Sequence, residues 1–388
     1  MIRPARSNKP DGTAVPAPEP NAPLAPVFGY AFPGIRGVQA RREYFVSMCP
    51  LRLLPRIFLF NEEELVPELR AQRILNKARI PEISRYILDN PDNYVFSAIT
   101  ASIDGDVRFT PLGQAPGSEQ VGLLHVAMSA RFIINDGQHR RASIEQAMRD
   151  RPELADETIA VVFFLDRGLE RCQQMFADLN RHAIRPSKSL GLLYDHRDDK
   201  AQLARAIVSQ SEVFREVVEL ERSTLSLRSR KLFTLSSIYS ATSALLQGRE
   251  GGFDDHVKAA VLYWEEVASQ FREWSDVRER KIPAGDVRRD FIHSHGVVLQ
   301  ALGRAGNALI REDQAGWPKR LSRLRKIDWS RTNSRDWEGR AMIGGRVSKS
   351  TQNVILAANL IKKQLDLPLN PEELRLESAY QKGELVHA

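Results

Sequence analysis

Residues 131–148, RFIINDGQHRRASIEQAM, constrain this chain more than any other stretch. Arg131-Phe132-Ile133-Ile134 has strand character, Asn135-Asp136-Gly137 is a turn signal, and Ile144, Ala147 and Met148 fall on one face of the helix expected next. A strand-to-helix junction leaves the N–H groups of the first helical turn without partners, and the helix dipole adds about half a positive charge there. Anions are favoured at such a place. His139, Arg140 and Arg141 supply side-chain donors, and Gly137 lets a ligand approach the backbone. Gly137, Gln138, His139, Arg140 and Arg141 are therefore candidate phosphate- or nucleotide-binding residues. The same residues carry a second reading, in which Asn135 caps the helix, Gln138 reaches back in a capping box, and the arginines are solvated or paired with Glu145. The stretch alone leaves both open.

The rest of the chain is large enough to give this junction a core. Its 388 residues, 42% of them hydrophobic, suit one large or two ordinary domains, with two expected. Lys+Arg 56 against Asp+Glu 49 gives a net charge of +7, an excess that suits a polyanionic partner. Cys49 and Cys172, the two cysteines, lack metal-ligand spacing and read as reduced, buried thiols, so no metal is expected on them. No run of about 18 apolar residues exists, and the N-terminus lacks an apolar signal core, so the expectation is a cytoplasmic protein away from the membrane.

Taken in order, residues 1–28 are Pro- and Ala-rich and are expected to form a disordered tail. Residues 29–190 alternate strand and helix signals and read as an α/β domain. Strands are expected at 44–48 and 51–60, parted by Pro50, with a helix from Asn61 and another opening on Pro81. An Asp104-Gly105-Asp106 turn predicts a hairpin, 121–128 another strand, and the apolar run 158–165 a strand buried on both faces. A helix over 168–182 should turn Leu169, Cys172, Phe176 and Leu179 inward. Residues 191–388 read as helical, with helices at 199–220, 232–247, 254–274, 286–310 and 348–365. Two basic clusters punctuate this half: Arg222, Arg228, Arg230 and Lys231 among serines, and Lys319, Arg320, Arg323, Arg325 and Lys326 after Trp317-Pro318. Either can contact phosphates or sit in water. His293 and His295, two apart on a helix, would diverge by about 200° and could not share a metal.

Asp136-Gly137-Gln138-His139-Arg140, preceded by Ile133-Ile134 and followed by Arg141-Ala142, resembles the signature of the DGQHR-domain family, and over residues 30–365 the chain is similar to the family's DndB group. That resemblance implies a regulator of DNA phosphorothioation, repressing its own modification operon. It also implies a ParB/sulfiredoxin-like α/β fold, whose Gly-rich strand-to-helix turn holds nucleotide phosphates. Where ParB proteins have an acidic residue before paired arginines, this chain has Gly137-Gln138-His139-Arg140-Arg141. By the same resemblance Asn180 and Lys188 are expected to face the central turn.

Three functions follow as expectations. The first is a regulator that binds double-stranded DNA through the two basic clusters, with no identifiable helix-turn-helix. The second is an enzyme, an ATPase or nuclease, with ATP or another nucleotide at the turn and Mg if it is hydrolysed. There Asp136 is the acidic candidate and His139 the proton acceptor, with Asp178 and Asp195 as further acids and no Walker lysine. The third is a non-catalytic scaffold for other phosphorothioation proteins, with a homo-oligomer compatible with any of these.

Overall fold

The computed structural model describes residues 29–58, 77–165, 174–175, 178–179 and 186–384. The Pro/Ala-rich tail, the helix expected from Asn61, Leu169, Cys172, Phe176 and Asn180 lie outside the described residues. The chain divides into two compact units, Met1–Ile184 and Arg185–Ala388.

The first unit is built on strands and α-helices in the order β1 (Gly29–Gln39), β2 (Arg42–Pro50), α1 (Leu54–Ile57), α2 (Arg79–Asp89), β3 (Ile99–Asp104), β4 (Val107–Pro111), β5 (Val121–Ala127), β6 (Arg131–Asp136), α3 (Gln138–Asp150) and β7 (Thr158–Leu165). The strands form one mixed sheet in the order β4-β5-β1-β2-β7-β3-β6. All its pairings are antiparallel except β3 with β7. β3 and β4 are joined by two residues yet stand five places apart in that order. Three Cα–Cα steps span at most about 11 Å, so the sheet is rolled until its ends approach. Phe32, Phe132 and Phe163 meet inside the roll with ring centroids 5.4 to 6.2 Å apart.

Several expectations are corrected here. The Asp104-Gly105-Asp106 turn does not close a hairpin. β3, buried along most of its length, pairs with β6 and β7, while β4 is an edge strand on β5. Residues 51–57 are helical rather than extended, since Pro55 enters the first turn of α1, where its missing N–H costs nothing. Pro81 lies inside the first turn of α2, which opens at Arg79. β7 alternates, with Ile159, Val161 and Phe163 buried and their neighbours partly covered, so its two faces are unequal. Leu179 is 41% exposed rather than inward. β1 runs through Pro33, which sits one residue outside the span paired with β2, so its missing N–H breaks no ladder bond on that side.

The second unit is helical: α4 (Lys188–Tyr194), α5 (Asp199–Gln210), α6 (Leu235–Leu245), α7 (Phe253–Ala268), α8 (Arg272–Arg278), α9 (Ala284–Asp290), α10 (Gly296–Glu312), α11 (Trp317–Leu321), α12 (Ser334–Trp337), α13 (Thr351–Gln364) and α14 (Pro371–Gln381). Two short ladders interrupt it, Val218–Glu219 with Phe233–Thr234 and Met342–Ile343 with Arg346–Val347. α10 is the central helix. Gly303 brings it against α6 so closely that a Cβ would stand 2.1 Å from the Ala241 carbonyl oxygen. The expected helices 199–220, 254–274 and 286–310 are each shorter or broken. The last is split at 291–295, where Phe291 bridges to Ser330 and the Ile292 N–H bonds the Trp329 carbonyl. α14 was not expected, and it is held by buried ion pairs: Arg340 with Glu377 at 2.7 Å and Lys362 with Glu373 at 2.6 Å.

Candidate functional site

In the first unit the strand-turn-helix forms as the sequence suggests. β6 ends at Asp136, Gly137 takes a left-handed φ of 104°, and α3 starts at Gln138. A Cβ at Gly137 would meet Ile99 Cγ1 at 3.0 Å and Arg140 Nη2 at 3.1 Å, so glycine is required by both conformation and space. The capping box is absent. Asn135 is buried on β6 and its amide donates to Ser102 Oγ at 2.7 Å, while α3 has no side-chain cap.

The two arginines are largely used internally. Arg140 donates to Asp136 Oδ2 at 2.6 Å, to Ser97 Oγ at 2.7 Å and to the Ala98 carbonyl at 3.1 Å, tying the turn to the segment entering β3. Arg141 is buried and pairs with Glu145 at 2.9 Å. Burial first, then the charges of Arg79 and Arg140, hold the His139 imidazole below its ordinary pKa, so it is neutral at pH 7. What the turn leaves unsatisfied is buried: Asn135 Oδ1, Gln138 Nε2, Arg140 Nε and Arg141 Nε have no hydrogen-bond partner among the described residues. The turn therefore offers an uncapped helix start and orphaned polar atoms, with its arginine charges balanced by Asp136 and Glu145. Among the described residues no three His, Cys, Asp or Glu side chains cluster as metal ligands would. Asp178 accepts from Gln174, and Asp195 accepts from the N–H groups of Arg197 and Asp198.

In the second unit the first basic cluster lies on the loop between the two strands of the Val218–Glu219/Phe233–Thr234 ladder. Arg222, Arg228 and Arg230 are exposed, and no side-chain bond or ion pair engages them among the described residues. Lys231 is used on the Glu216 carbonyl at 2.8 Å. The loop is held from beneath by Arg288, which donates to the carbonyls of Ser226 at 2.8 Å and Ser229 at 3.1 Å. The second cluster is mostly structural. Arg320 pairs with Glu312 at 3.0 Å and caps the Leu365 and Asp366 carbonyls, Arg323 pairs with Asp366, and Arg325 donates to the Ser269 carbonyl at 3.0 Å. Lys319 and Lys326 remain exposed. Lys188, at the start of α4, lies over the Tyr239 ring at 5.6 Å.

His293 and His295 occupy the turn before α10 rather than a helix. His293 accepts from Trp274 Nε1 at 2.9 Å in a nest of aromatic rings. His295 donates through Nε2 to the Arg288 carbonyl at 2.8 Å, and burial pushes its pKa down to about 4. Sequence reasoning missed Arg288 and Arg331 beside this turn. They are 43 residues apart, and Arg331 reaches back to the carbonyls of Arg288 and Arg289 at 3.4 and 3.3 Å only because 330 bridges to 291.

Among the described residues no helix is long and apolar enough to cross a membrane. The family model of DndB, described as DNA-sulfur modification-associated, matches residues 32–368. No curated protein and no solved structure matches the chain.

Proposed function

The chain belongs to the DndB family of DNA-sulfur modification-associated proteins, and from that premise we propose that it is a DNA-binding regulator of a phosphorothioation system, repressing its own modification operon. The observation that carries this reading is the loop 221–231. It presents Arg222, Arg228 and Arg230 exposed and unengaged among the described residues, on a backbone pinned by the buried Arg288. Free guanidinium groups on a braced loop suit phosphate contacts that position a protein on a duplex. Lys319 and Lys326 are further exposed cations of the same unit.

A nucleotide at the 136–141 turn is a second reading, favoured by the uncapped start of α3 and the orphaned Gln138 Nε2. It fits a ParB-like relationship of the first unit, with the phosphate held by N–H groups and Gln138 rather than by the arginines. The test is a salt titration of binding to the duplex upstream of the chain's own operon against a scrambled duplex, with and without ATP. Tighter binding to the native duplex with a steep salt dependence is expected. Equal, weak binding to both would remove the regulator reading.

A further inference from the structure

We propose that the helical unit carries a separate small-ligand site, a pocket at the N-terminus of α10 that holds a phosphate group on a molecule of nucleotide size. The pocket encloses about 570 Å³, within the range of about 300–1,000 Å³ usual for ligand sites. One wall is polar and formed by Arg288, Arg331, Ser294, His295 and Gly296. Leu225, Leu227 and Phe233 also line the pocket and are available to a base or sugar, alongside the hydroxyls of Ser223, Thr224, Thr234 and Ser237. Among the described residues no carboxylate lines it.

Three independent features of the polar wall call for an anion. Arg288 is 8% exposed, its guanidinium is held by the Ala284, Ser226 and Ser229 carbonyls, and no ion pair balances its charge among the described residues. A buried charge without a counter-charge is costly, and a bound anion removes that cost. Ser294 is 4% exposed and its hydroxyl has no partner among the described residues, as is true of the buried Nε of Arg331. Native proteins rarely leave such groups unsatisfied. Finally, α10 is a 17-residue helix with no side-chain cap, so its first N–H groups and the positive end of its dipole face this wall. The Lys349 ammonium stands beside Gly296, 3.4 Å from where a Cβ would be. A phosphate has the three acceptor oxygens that such converging donors need, where a carboxylate has two.

The site shares the 221–231 loop with the DNA-binding reading but uses other groups, its donors being buried while the loop arginines are exposed. The same phosphate could belong to a free nucleotide or to nucleic acid, so the full chain is titrated calorimetrically with inorganic phosphate, with AMP and with a short duplex lacking terminal phosphates. Saturable AMP binding is expected, weakened roughly tenfold or more by Arg331→Gln, which removes a charged hydrogen bond. Ser294→Ala is expected to weaken AMP several-fold without lowering the melting temperature of the ligand-free chain, since the lost hydroxyl satisfies nothing there. If the two pocket variants weaken the duplex alone, the phosphate site stands and its source is nucleic acid. Absence of saturable binding by all three probes, or binding that both variants leave intact, overturns the proposal.

Discussion

Replacing Arg222, Arg228 and Arg230 together by alanine tests the DNA interface most directly, because the loop leaves these three guanidinium groups without internal partners among the described residues. Each cation that neutralises a phosphate contributes about 0.9 to the slope of log affinity against log salt. If all three contact phosphates, the triple variant should lose about 2.7 from that slope. Between about 50 and 200 mM salt the native chain would then lose about 40-fold more affinity than the variant. Stability should change little, since the removed groups are exposed and make no side-chain bond or ion pair among the described residues, and exposed substitutions of this kind usually stay within about 0.5 kcal/mol. Fluorescence anisotropy of a labelled duplex across a salt series, alongside thermal melting, measures both quantities. Parallel slopes for the two proteins, with melting unchanged, would show that these arginines lie off the interface and refute the reasoning.

The second cluster should behave in the opposite way: Arg320→Ala is expected to lower thermal stability by about 1–3 kcal/mol by stripping donors from the Leu365 and Asp366 carbonyls, while leaving the salt slope of DNA binding nearly unchanged. Arg140→Ala should destabilise by more than the roughly 1 kcal/mol of an ordinary helix end, because three bonds to Asp136, Ser97 and Ala98 go with it; urea denaturation would show this. Burial raises the Glu377 carboxyl, but hydrogen bonds from Arg340, Lys363 and Asn359 outweigh it and bring its pKa to about 2 from 4.5. Its contribution is therefore complete above pH 4.5 and is lost as pH falls toward 2, a loss of about 3 kcal/mol that Glu377→Gln should abolish from the acid-unfolding curve.

The strand-turn-helix at 131–150 was legible because its signals are local: a β-rich run, a glycine at the one left-handed position, and a helical stripe behind it. The balance of its charges was less so. Glu145 as a partner for Arg141 follows from spacing, but the ties of Arg140 to Ser97 and Ala98 depend on where β3 enters the sheet. The failed hairpin has the same cause. Asp104-Gly105-Asp106 bends the chain, with Gly105 at positive φ, but does not reverse it: β3 and β4 run the same way, antiparallel to β6 and β5, and the buried Ile99, Ala101, Ser102 and Ile103 are taken up between β6 and β7. β1 was hidden by Pro33, Gly34 and Gly37, residues that usually mark loops. In the second unit, the turn at 291–295 contains no proline. The bridge to Ser330, the bond to Trp329 and the bonds from Arg331 to the carbonyls of residues 288–290 take the place of helical bonds there, and these partners carry no sequence signal.

The position of β7 has a bearing on how the chain is made. It is the last strand of the sheet to leave the ribosome, yet it belongs between β2 and β3, and its parallel register sets Ile99 against Val161. Until it arrives, β2 and β3 each present an open edge, the kind of template on which nascent chains stick to one another. Parallel pairing across so long a stretch is also slow to form. The 136–141 turn hangs from β6, and β6 hangs from β3, so the part of the molecule with the most recognisable sequence is secured by a strand synthesised after it. A chain stalled or cut before Thr158 would carry the motif without the means to hold it.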